Sequence, residues 1–328
     1  MTSFKKIALI TGITGQDGAY LSQFLLQRNY RVIGLIRSSS GSDLYRLRYL
    51  NVLHQIELQE CDLQDISQLI KIIIDYQPDE IYNLAAQSSV SLSFRQPIGT
   101  LHYNVNTVLN ILESIRLINP KIRFYQASSS EMYGKVDDLP ITEESRPHPL
   151  SPYAISKVTA HYTTINYRES YNLYACCGIL FNHESYLRGR SFFIKKVILG
   201  ALDIKYGKAT TLEVGNLDIK RDFGHSKKYI EVMWMMLQQV VPDDFVICSG
   251  RSIYLREIVE FVFEHTGVPY SAVAVNPKLF RPTEIEEIYG SSEKARKNMN
   301  WVYDIDFRDT LVELIEEEER HYPGARTS

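Results

Sequence analysis

Residues Lys6-Ile7-Ala8-Leu9-Ile10-Thr11-Gly12-Ile13-Thr14-Gly15-Gln16-Asp17-Gly18 join an apolar run of strand length to a glycine-rich turn. The glycines have the spacing Gly-x-x-Gly-x-x-Gly, and a helical pattern of apolar side chains follows at once. Glycines let a backbone approach a pyrophosphate closely, and the free N–H groups at a helix N-terminus point toward that anion. The segment therefore predicts the strand, turn and helix that begin a dinucleotide-binding fold. The turn residues assigned to the cofactor are Gly12, Thr14, Gly15, Gln16 and Asp17.

Strand-like and helical segments alternate after this unit, as a parallel sheet with crossover helices requires. We predict strands at 6–11, 31–36, 56–61, 80–85, 122–127 and 174–180, with helices that include 66–76 and 108–117. After residue 181 the pattern changes to short strands and helices at 192–202, 229–238 and 255–265. The predicted fold class is α/β. A Rossmann-like doubly wound parallel sheet occupies residues 1–181 and a smaller α/β substrate domain occupies 182–328, with some exchange of strands and helices between them.

A second pattern indicates acid–base chemistry. Tyr153 precedes Lys157 by four residues on a helix that Ser151-Pro152 is expected to begin, so the two side chains share one helix face. Tyrosine loses its proton at about pH 10, and a fixed cation beside it favours the phenolate. Glu131, in the segment Ser129-Ser130-Glu131 just past the fifth predicted strand, adds an independent acid–base group. A site with both groups performs more than one proton transfer.

Taken alone, a Tyr and a Lys at this spacing also fit a helix on which one side chain packs and the other is solvated. The glycine-rich turn upstream favours the catalytic interpretation, because the two features together resemble the short-chain dehydrogenase/reductase superfamily. The resemblance is to its extended branch, whose members act on nucleotide-linked sugars. Six segments narrow it to the GDP-mannose 4,6-dehydratase family, and they run in order through nearly the whole chain: 12–18, 82–88, 124–128, 178–185, 215–222 and 281–284.

The end of the second predicted strand bears on the cofactor. NAD preference usually needs an acidic residue there for the ribose 2′-hydroxyl, whereas a 2′-phosphate needs a cation and hydroxyl donors. The chain has Arg37-Ser38-Ser39-Ser40 at this place and no acidic residue until Asp43, so NADP is predicted, as the resemblance also implies. The further cofactor contacts implied by the resemblance are Asp62, Leu63, Leu84, Ala85, Ala86, Gln87, Ser88, His183 and Arg188, together with Tyr153 and Lys157.

Cations suited to a diphosphate lie in the region expected to cover the cleft. Arginine binds phosphate oxygens through two donors at once, which favours Arg221 and Arg281, with Lys196 as a third cation. Each of these alone also fits a surface charge. On the family's motifs, the substrate contacts are predicted to be Ser88, Ser129, Glu131, Asn182, Lys196, Arg221, Arg281 and Glu284.

The resemblance implies conversion of GDP-mannose to GDP-4-keto-6-deoxymannose and water by internal hydride transfer through NADP, with Ser129, Glu131, Tyr153 and Lys157 as the catalytic residues. Three positions depart from the family's pattern. Ser129 replaces a Thr, and Ser38 replaces a second Arg in a loop that helps assemble a tetramer, so a homo-oligomer is expected as a dimer or a tetramer. Tyr186-Leu187 replaces a Pro and a basic or apolar residue, which leaves another GDP-hexose open as substrate.

Two other functions remain open at this stage. One is an NADPH-dependent reductase of the 4-keto product, which would not need Glu131. The other is a nucleotide-sensing binding protein on a retired enzyme fold, which should have lost the Tyr153 and Lys157 pair.

Composition fits an enzyme with a large core, since 45% of the 328 residues are apolar. The net charge of −3 argues mildly against a nucleic-acid partner. No apolar stretch reaches roughly 20 residues, so no membrane span is expected and the cytoplasm is the default location. Four cysteines, Cys61, Cys176, Cys177 and Cys248, lie in or beside apolar strand-like runs without a metal-ligand spacing, so buried free thiols and no metal are predicted.

Overall fold

The computed structural model describes residues 6–136 and 138–323, which form thirteen strands and eleven α-helices. The strands are β1 (Lys6–Thr11), β2 (Tyr30–Ile36), β3 (Glu57–Glu60), β4 (Glu80–Asn83), β5 (Arg123–Ser129), β6 (Ala175–Leu180), β7 (Asn182–Glu184), β8 (Leu212–Val214), β9 (Lys220–His225), β10 (Phe245–Ile247), β11 (Ser252–Tyr254), β12 (Val273–Val275) and β13 (Glu287–Ile288). The helices are α1 (Gln16–Leu26), α2 (Tyr45–Tyr49), α3 (Ile66–Tyr76), α4 (Val90–Arg95), α5 (Pro97–Ile118), α6 (Pro152–Tyr171), α7 (Phe193–Lys205), α8 (Ser226–Met236), α9 (Leu255–Thr266), α10 (Glu293–Met299) and α11 (Phe307–His321).

Seven strands form the central sheet, in the order β10-β6-β5-β4-β1-β2-β3. Every neighbouring pair in it is parallel. The strand order reverses between β1 and β4, and ligands bind at such a reversal, outside the carboxyl ends of the strands. The predicted doubly wound parallel sheet is confirmed.

Helices cover both faces of this sheet, which is why its strands are apolar almost throughout. Ala8 and Ile10 of β1 belong to a buried cluster with residues of α1 and α8. Leu9, between them, belongs to a second cluster with residues of α3, α5 and α6 on the opposite face. This alternation, with a period of two residues, fixes which side of β1 each helix layer contacts.

The later part of the chain contributes to the central sheet as well. Strand β10 pairs with β6 at the sheet edge, and α8 packs in the same cluster as α1. This is the kind of exchange between the two halves that was expected, although the division at residue 181 itself stays a prediction.

A separate apolar cluster, built from α7, α9 and α11, supports the rest of the C-terminal region. Beside it lie a four-stranded sheet, in which β9 pairs with β7, β11 and β13, and a two-stranded sheet of β8 and β12. Strand β7 begins two residues after β6 ends, so the chain passes directly from the central sheet to the second one. That passage places Asn182 and His183 at the carboxyl edge of the central sheet.

Candidate active site

A cleft of about 1370 Å³ lies at the carboxyl edge of the central sheet. Its walls come from the ends of β1, β2, β4, β5 and β6, from the first turns of α1 and α6, and from the segment between β7 and α7. The predicted cofactor residues all line it: Gly12, Thr14, Gly15, Gln16, Asp17, Arg37, Asp62, Leu63, Leu84, Ala85, Ala86, Gln87, Ser88, Tyr153, Lys157, His183 and Arg188. Of the predicted substrate residues, Ser88, Ser129, Glu131, Asn182, Lys196 and Arg281 line it as well.

The glycine-rich turn has the shape that a pyrophosphate requires. Gly12 has a φ of +68°, and a Cβ added there would lie 2.8 Å from the backbone nitrogen of Ala85. A Cβ on Gly18 would collide with the carbonyl oxygen of Gly12. Helix α1 begins at Gln16 without a side-chain cap, so its first N–H groups remain available to an anion. These residues fit the diphosphate bridge of a dinucleotide.

A set of hydrogen bonds ties the start of α1 to β7. The Gln16 side chain donates to the carbonyl oxygen of His183 at 3.1 Å and accepts from the Ser185 hydroxyl at 2.7 Å. Asp17 lies 2.9 Å from His183 Nε2, while His183 Nδ1 lies 2.7 Å from the carbonyl oxygen of Phe181. Both ring nitrogens therefore face acceptors, and both contacts are hydrogen bonds only when the imidazole carries two protons.

The charge of Asp17 follows from the same contacts. Burial opposes the ionised carboxylate, but the charge and hydrogen bond of His183, with help from Arg188, lower the pKa of Asp17 to about 2. Sequence reasoning assigned Asp17 and His183 separately to the cofactor and did not predict this contact. No spacing rule connects residues that are 166 positions apart.

The catalytic candidates come from two neighbouring elements. Strand β5 extends to Ser129, two residues beyond the predicted end, and Glu131 lies in the 3-10 turn Ser130–Met132 that follows. The Ser129 hydroxyl accepts a hydrogen bond from the backbone N–H of Glu131 at 3.2 Å. Helix α6 begins at Pro152, and the Ser151 hydroxyl caps it by accepting from the Ala154 N–H, as predicted.

Tyr153 and Lys157 are both buried on the cleft-facing side of α6. Burial raises the pKa of Tyr153 to about 12, against a hydrogen bond from Ser129 that lowers it. Burial likewise lowers the pKa of Lys157 to about 8. The Lys157 ammonium donates to the carbonyl oxygen of Ala127 at 2.7 Å and lies 5.8 Å from the centre of the Tyr153 ring.

The prediction that a cation beside Tyr153 favours its phenolate stays a prediction. In the protein alone, desolvation disfavours the charged form of both side chains. Sequence spacing reveals that two side chains share a face, but not how deeply they are buried.

The far end of the cleft carries the predicted adenosine contacts. Arg37 lies with its guanidinium 5.4 Å from the centre of the Tyr103 ring. Ser38 also lines the cleft, and the backbone N–H of Ser39 donates to Glu60 at 2.6 Å. A cation and hydroxyl groups thus lie where the second strand ends, as the sequence predicted.

Four further residues that line this end were not selected by sequence reasoning: Gln64, Gly99, His102 and Tyr103. Gln64 lies 2.8 Å from His102 Nδ1, and Tyr103 contacts Arg37 as described above. Gly99, His102 and Tyr103 recur at helical spacing on α5. That spacing was the only available signal, and it equally describes a face packed against the protein core.

At the substrate end of the cleft, some of the predicted substrate residues line the cleft surface and others do not. Asn182, Lys196 and Arg281 line the cleft, and the Lys196 ammonium donates to the carbonyl oxygen of Glu213 at 2.8 Å. Arg221 and Glu284 are not among the lining residues. Arg221 is 5% exposed and donates to the carbonyl oxygens of Lys220 at 2.8 Å and Ile285 at 2.7 Å. Their part in substrate binding stays a prediction.

No group of three or more His, Cys, Asp and Glu side chains in residues 6–136 and 138–323 is arranged to hold a metal ion. The four cysteines are buried and unpaired. No helix in the same parts of the chain has the length and apolarity needed to cross a membrane.

The strand order, glycine turn and Tyr/Lys helix define a short-chain dehydrogenase/reductase fold. A solved dTDP-glucose 4,6-dehydratase from Streptomyces venezuelae superposes with a TM-score of 0.88, at 21% identity, over 97% of this chain and 98% of that one. At this identity the likeness concerns the fold alone.

Sequence comparison identifies the family. The family model described as GDP-mannose 4,6 dehydratase matches residues 9–314. The GDP-mannose 4,6 dehydratase of Drosophila melanogaster is 43% identical over 336 residues, covering 94% of this chain and 84% of the relative. That of Yersinia enterocolitica is 41% identical over 345 residues, covering 94% and 93%. The chain belongs to the GDP-mannose 4,6-dehydratase family, which confirms the resemblance and the predicted class of enzyme.

Proposed function

We propose that this protein is a hydro-lyase that converts GDP-mannose to GDP-4-keto-6-deoxymannose and water, with NADP as a cofactor that is regenerated in each cycle. One observation carries the proposal: a Tyr/Lys pair and an independent carboxylate, Glu131, line the same cleft as a dinucleotide-type glycine turn. A reductase of the 4-keto sugar would need the pair but not Glu131.

The first step is oxidation at C4 of the sugar. Tyr153 takes the O4 proton, and Ser129, which is within hydrogen-bonding reach of the Tyr153 hydroxyl, steadies O4. Because burial raises the pKa of Tyr153 to about 12, positive charge must lie nearby when the proton moves. The Lys157 ammonium supplies part of it, held by the carbonyl oxygen of Ala127. NADP, which Gly12, Gly15 and Arg37 would hold, would supply the hydride acceptor for C4 and the hydride donor for C6.

The second step is loss of water. The C4 ketone acidifies the neighbouring C5–H, so Glu131 takes the C5 proton while the C6 hydroxyl leaves. The proton removed from O4 balances the departing hydroxide as water, and a proton returns to C5 at the end. Glu131 can serve because its carboxylate lines the cleft beside Ser129, whose hydroxyl accepts the Glu131 N–H.

The test is incubation of the purified protein with GDP-mannose and no added cofactor, followed by mass spectrometry. A product lighter by one water supports the proposal. If no product forms with added NADP⁺ either, other GDP-hexoses and the 4-keto sugar with NADPH distinguish a wrong sugar from the reductase. The matched variant is Glu131→Gln, which should still exchange hydride at C4 but release no water. Normal water loss in that variant would remove Glu131 from its role.

NADP over NAD is supported by Arg37 and Ser38 in the cleft and by the lack of an acidic residue between β2 and Asp43. A charge-assisted contact to a 2′-phosphate contributes roughly 1.5–3 kcal/mol. Arg37→Ala should therefore weaken NADP binding by about tenfold or more, and NAD binding much less. Equal weakening of both dinucleotides would argue against this assignment. The control is Arg48→Ala, a nearby α2 arginine that does not line the cleft.

We further propose a cytoplasmic homo-oligomer, a dimer or a tetramer, with residues 1–181 binding the cofactor and 182–328 the sugar nucleotide. The assembly state rests on the family resemblance. The cytoplasm is the default for a sequence without a predicted membrane span, and the division at residue 181 follows the change in sequence pattern. Light scattering of the purified protein measures the assembly state, and a monomer at all concentrations would contradict it.

A further inference from the structure

Four charged side chains lie together at the substrate end of the cleft: Glu131, Arg281, Arg221 and Glu284, here called the charge cluster. Arg281 Nη1 lies 3.8 Å from Glu131 Oε1, and Arg221 Nη2 lies 3.9 Å from Glu284 Oε2. The backbone N–H of Arg281 donates to Glu284 Oε1 at 3.2 Å. The two arginines and two carboxylates cancel in net charge, but both side-chain ion pairs are longer than a hydrogen bond.

Two atoms of the charge cluster lack hydrogen-bond partners. Arg221 Nη2 and Glu284 Oε2 are buried without a hydrogen-bond partner among the described residues. Burial lowers the pKa of Arg221, and the like charge of Arg281 acts in the same direction, while Glu131 and Glu284 oppose it. Buried charged groups with unused hydrogen-bonding capacity are costly to maintain, which is typical of a site that takes a charged ligand.

The two arginines differ in freedom. Arg221 is anchored by two backbone carbonyl oxygens and is 5% exposed. The side chain of Arg281 is 35% exposed and lines the cleft, and that of Glu131, 17% exposed, lines it as well. Arg281 is therefore the cluster's cation that an anion in the cleft can recruit with little rearrangement, and its present side-chain partner is the proposed general base.

We infer that Arg281 couples diphosphate binding to Glu131, because the diphosphate of a sugar nucleotide and the Glu131 carboxylate compete for the same guanidinium. The inference rests on the proposed function and adds a control step to it. As the diphosphate takes Arg281, Glu131 exchanges a cationic neighbour for an anionic one. The Glu131 carboxylate is thereby released from its ion pair, so the base is freed when a substrate is in place.

A double-mutant cycle with GDP as the probe tests the competition without relying on catalysis. Dissociation constants are measured by calorimetry for the wild type, Glu131→Gln, Arg281→Gln and the double variant. If Glu131 holds Arg281 back, Glu131→Gln tightens GDP binding by about fivefold, the upper range for a partly exposed ion pair. In the Arg281→Gln background, adding Glu131→Gln changes the GDP dissociation constant by less than about twofold, because the contested cation is gone.

Two controls sharpen the cycle. Guanosine lacks the diphosphate, so its binding should not respond to Glu131→Gln. Asp43→Asn removes a cleft carboxylate outside the charge cluster and should leave the GDP dissociation constant unchanged. Arg281→Met provides a second variant without the cation if Arg281→Gln folds poorly.

The possible results distinguish competition for Arg281 from direct repulsion and from a wrong substrate class. Equal tightening in both arginine backgrounds would mean direct repulsion between Glu131 and the diphosphate and would overturn the inference. No tightening in either background would overturn it as well. If GDP binds none of the four proteins, the proposed substrate class fails and this inference fails with it, whereas GDP binding without coupling leaves the proposed function intact.

Discussion

At the amino ends of the central strands, the buried Glu80 carboxylate accepts four hydrogen bonds, from Lys6, Tyr30, Tyr82 and Gln238, at 2.7 to 3.1 Å. At the carboxyl ends of the same sheet, the charged groups are arranged differently. Glu131 is 3.8 Å from its arginine. Four buried charged atoms have no hydrogen-bond partner within residues 6–136 and 138–323: Glu284 Oε2, Arg221 Nη2, Glu184 Oε2 and Arg188 Nε.

The difference indicates that the amino end of the sheet contributes to stability and the carboxyl end to ligand binding. A buried carboxylate with every acceptor position used contributes to stability, and its loss leaves several donors unpaired. Buried charges that are only partly satisfied reduce stability, and they persist where a ligand completes them. Substitutions at the amino end should therefore change unfolding, whereas substitutions at the carboxyl end should change catalysis.

The largest expected effect is at the carboxyl end. Tyr153→Phe removes the proposed base for the O4 proton, so kcat should fall by about 10³-fold, within the range of general acid–base catalysis. The free energy of unfolding should change by less than about 1 kcal/mol, since only one hydroxyl contact with Ser129 is lost. Steady-state kinetics and urea unfolding on the same preparation measure both.

The matched control for that variant is Tyr125→Phe. The Tyr125 hydroxyl is buried without a partner in the described structure and lies outside the cleft lining, so its removal should leave kcat unchanged. If Tyr125→Phe reduced kcat as strongly as Tyr153→Phe, loss of packing in the core would explain both results and the catalytic assignment would be lost.

The next effect is at the amino end. Glu80→Ala leaves the Lys6 ammonium and two tyrosine hydroxyls without their acceptor, so the free energy of unfolding should fall by about 3 kcal/mol. The folded fraction should keep its kcat and KM, since Glu80 lies at the opposite edge of the sheet. The control is Glu57→Ala, which removes an exposed pair with Arg31 and should cost less than about 1 kcal/mol. Equal losses of stability in the two variants would contradict the comparison.

A third prediction concerns Lys157, whose pKa burial lowers from 10.5 to about 8. Below pH 8 the folded protein holds a desolvated ammonium, at a cost of about 3 kcal/mol. Between pH 8 and 10.5 the unfolded chain still binds a proton that the folded protein has released, so the free energy of unfolding rises with pH. Catalysis should change in the opposite direction, with kcat falling as pH rises through about 8.

Lys157→Met separates these two consequences. Relative to the wild type, the variant should gain stability at pH 7 and lose activity. The stability gap should shrink by about 2 kcal/mol on going from pH 7 to about pH 9.5. A gap that does not depend on pH would show that Lys157 is not the titrating group.

The sequence predicted local elements well and distant pairings poorly. Helix α3 spans Ile66–Tyr76, as predicted, because its apolar period is clear and Asp65 caps its N-terminus by accepting from the Ser67 N–H. Strand β10, with only three residues, is too short to show an alternating pattern, and its place beside β6 depends on tertiary packing. The predicted segment 229–238 begins earlier, at Ser226, because His225 caps it.

The site divides in the same way. Tyr153, Lys157 and Glu131 could be selected because their chemistry is tied to a spacing or a motif. The contacts of Asp17 with His183 and of Arg37 with Tyr103 each join distant elements, so only the folded chain reveals them. The extent to which burial raises the pKa of Tyr153 could not be predicted, because burial cannot be read from helical spacing.

The smallest expected effect concerns Asp17. It tests whether the end of the sheet or the number of hydrogen bonds decides that a buried charge stabilises the fold. Asp17 lies at the carboxyl end, yet it is paired with His183 at 2.9 Å and accepts from Gln16 at 3.0 Å, so it resembles Glu80 more than Glu131. With the pKa lowered from 3.8 to about 2, its stabilising contribution is present above about pH 4 and is lost as pH falls toward 2.

Asp17→Asn should accordingly reduce the free energy of unfolding by about 2 kcal/mol at pH 6, and the difference from the wild type should decline by about 1 kcal/mol at pH 3. Chemical denaturation across this pH range, with Asp62→Asn as the control cleft carboxylate, measures it. A loss of stability would mean that satisfaction of the charge, and not the end of the sheet on which it lies, decides whether a buried group stabilises this fold. Asp17→Asn could instead leave the free energy of unfolding unchanged and weaken only cofactor binding. Buried charges at the carboxyl end would then serve ligand binding whether or not their hydrogen bonds are complete.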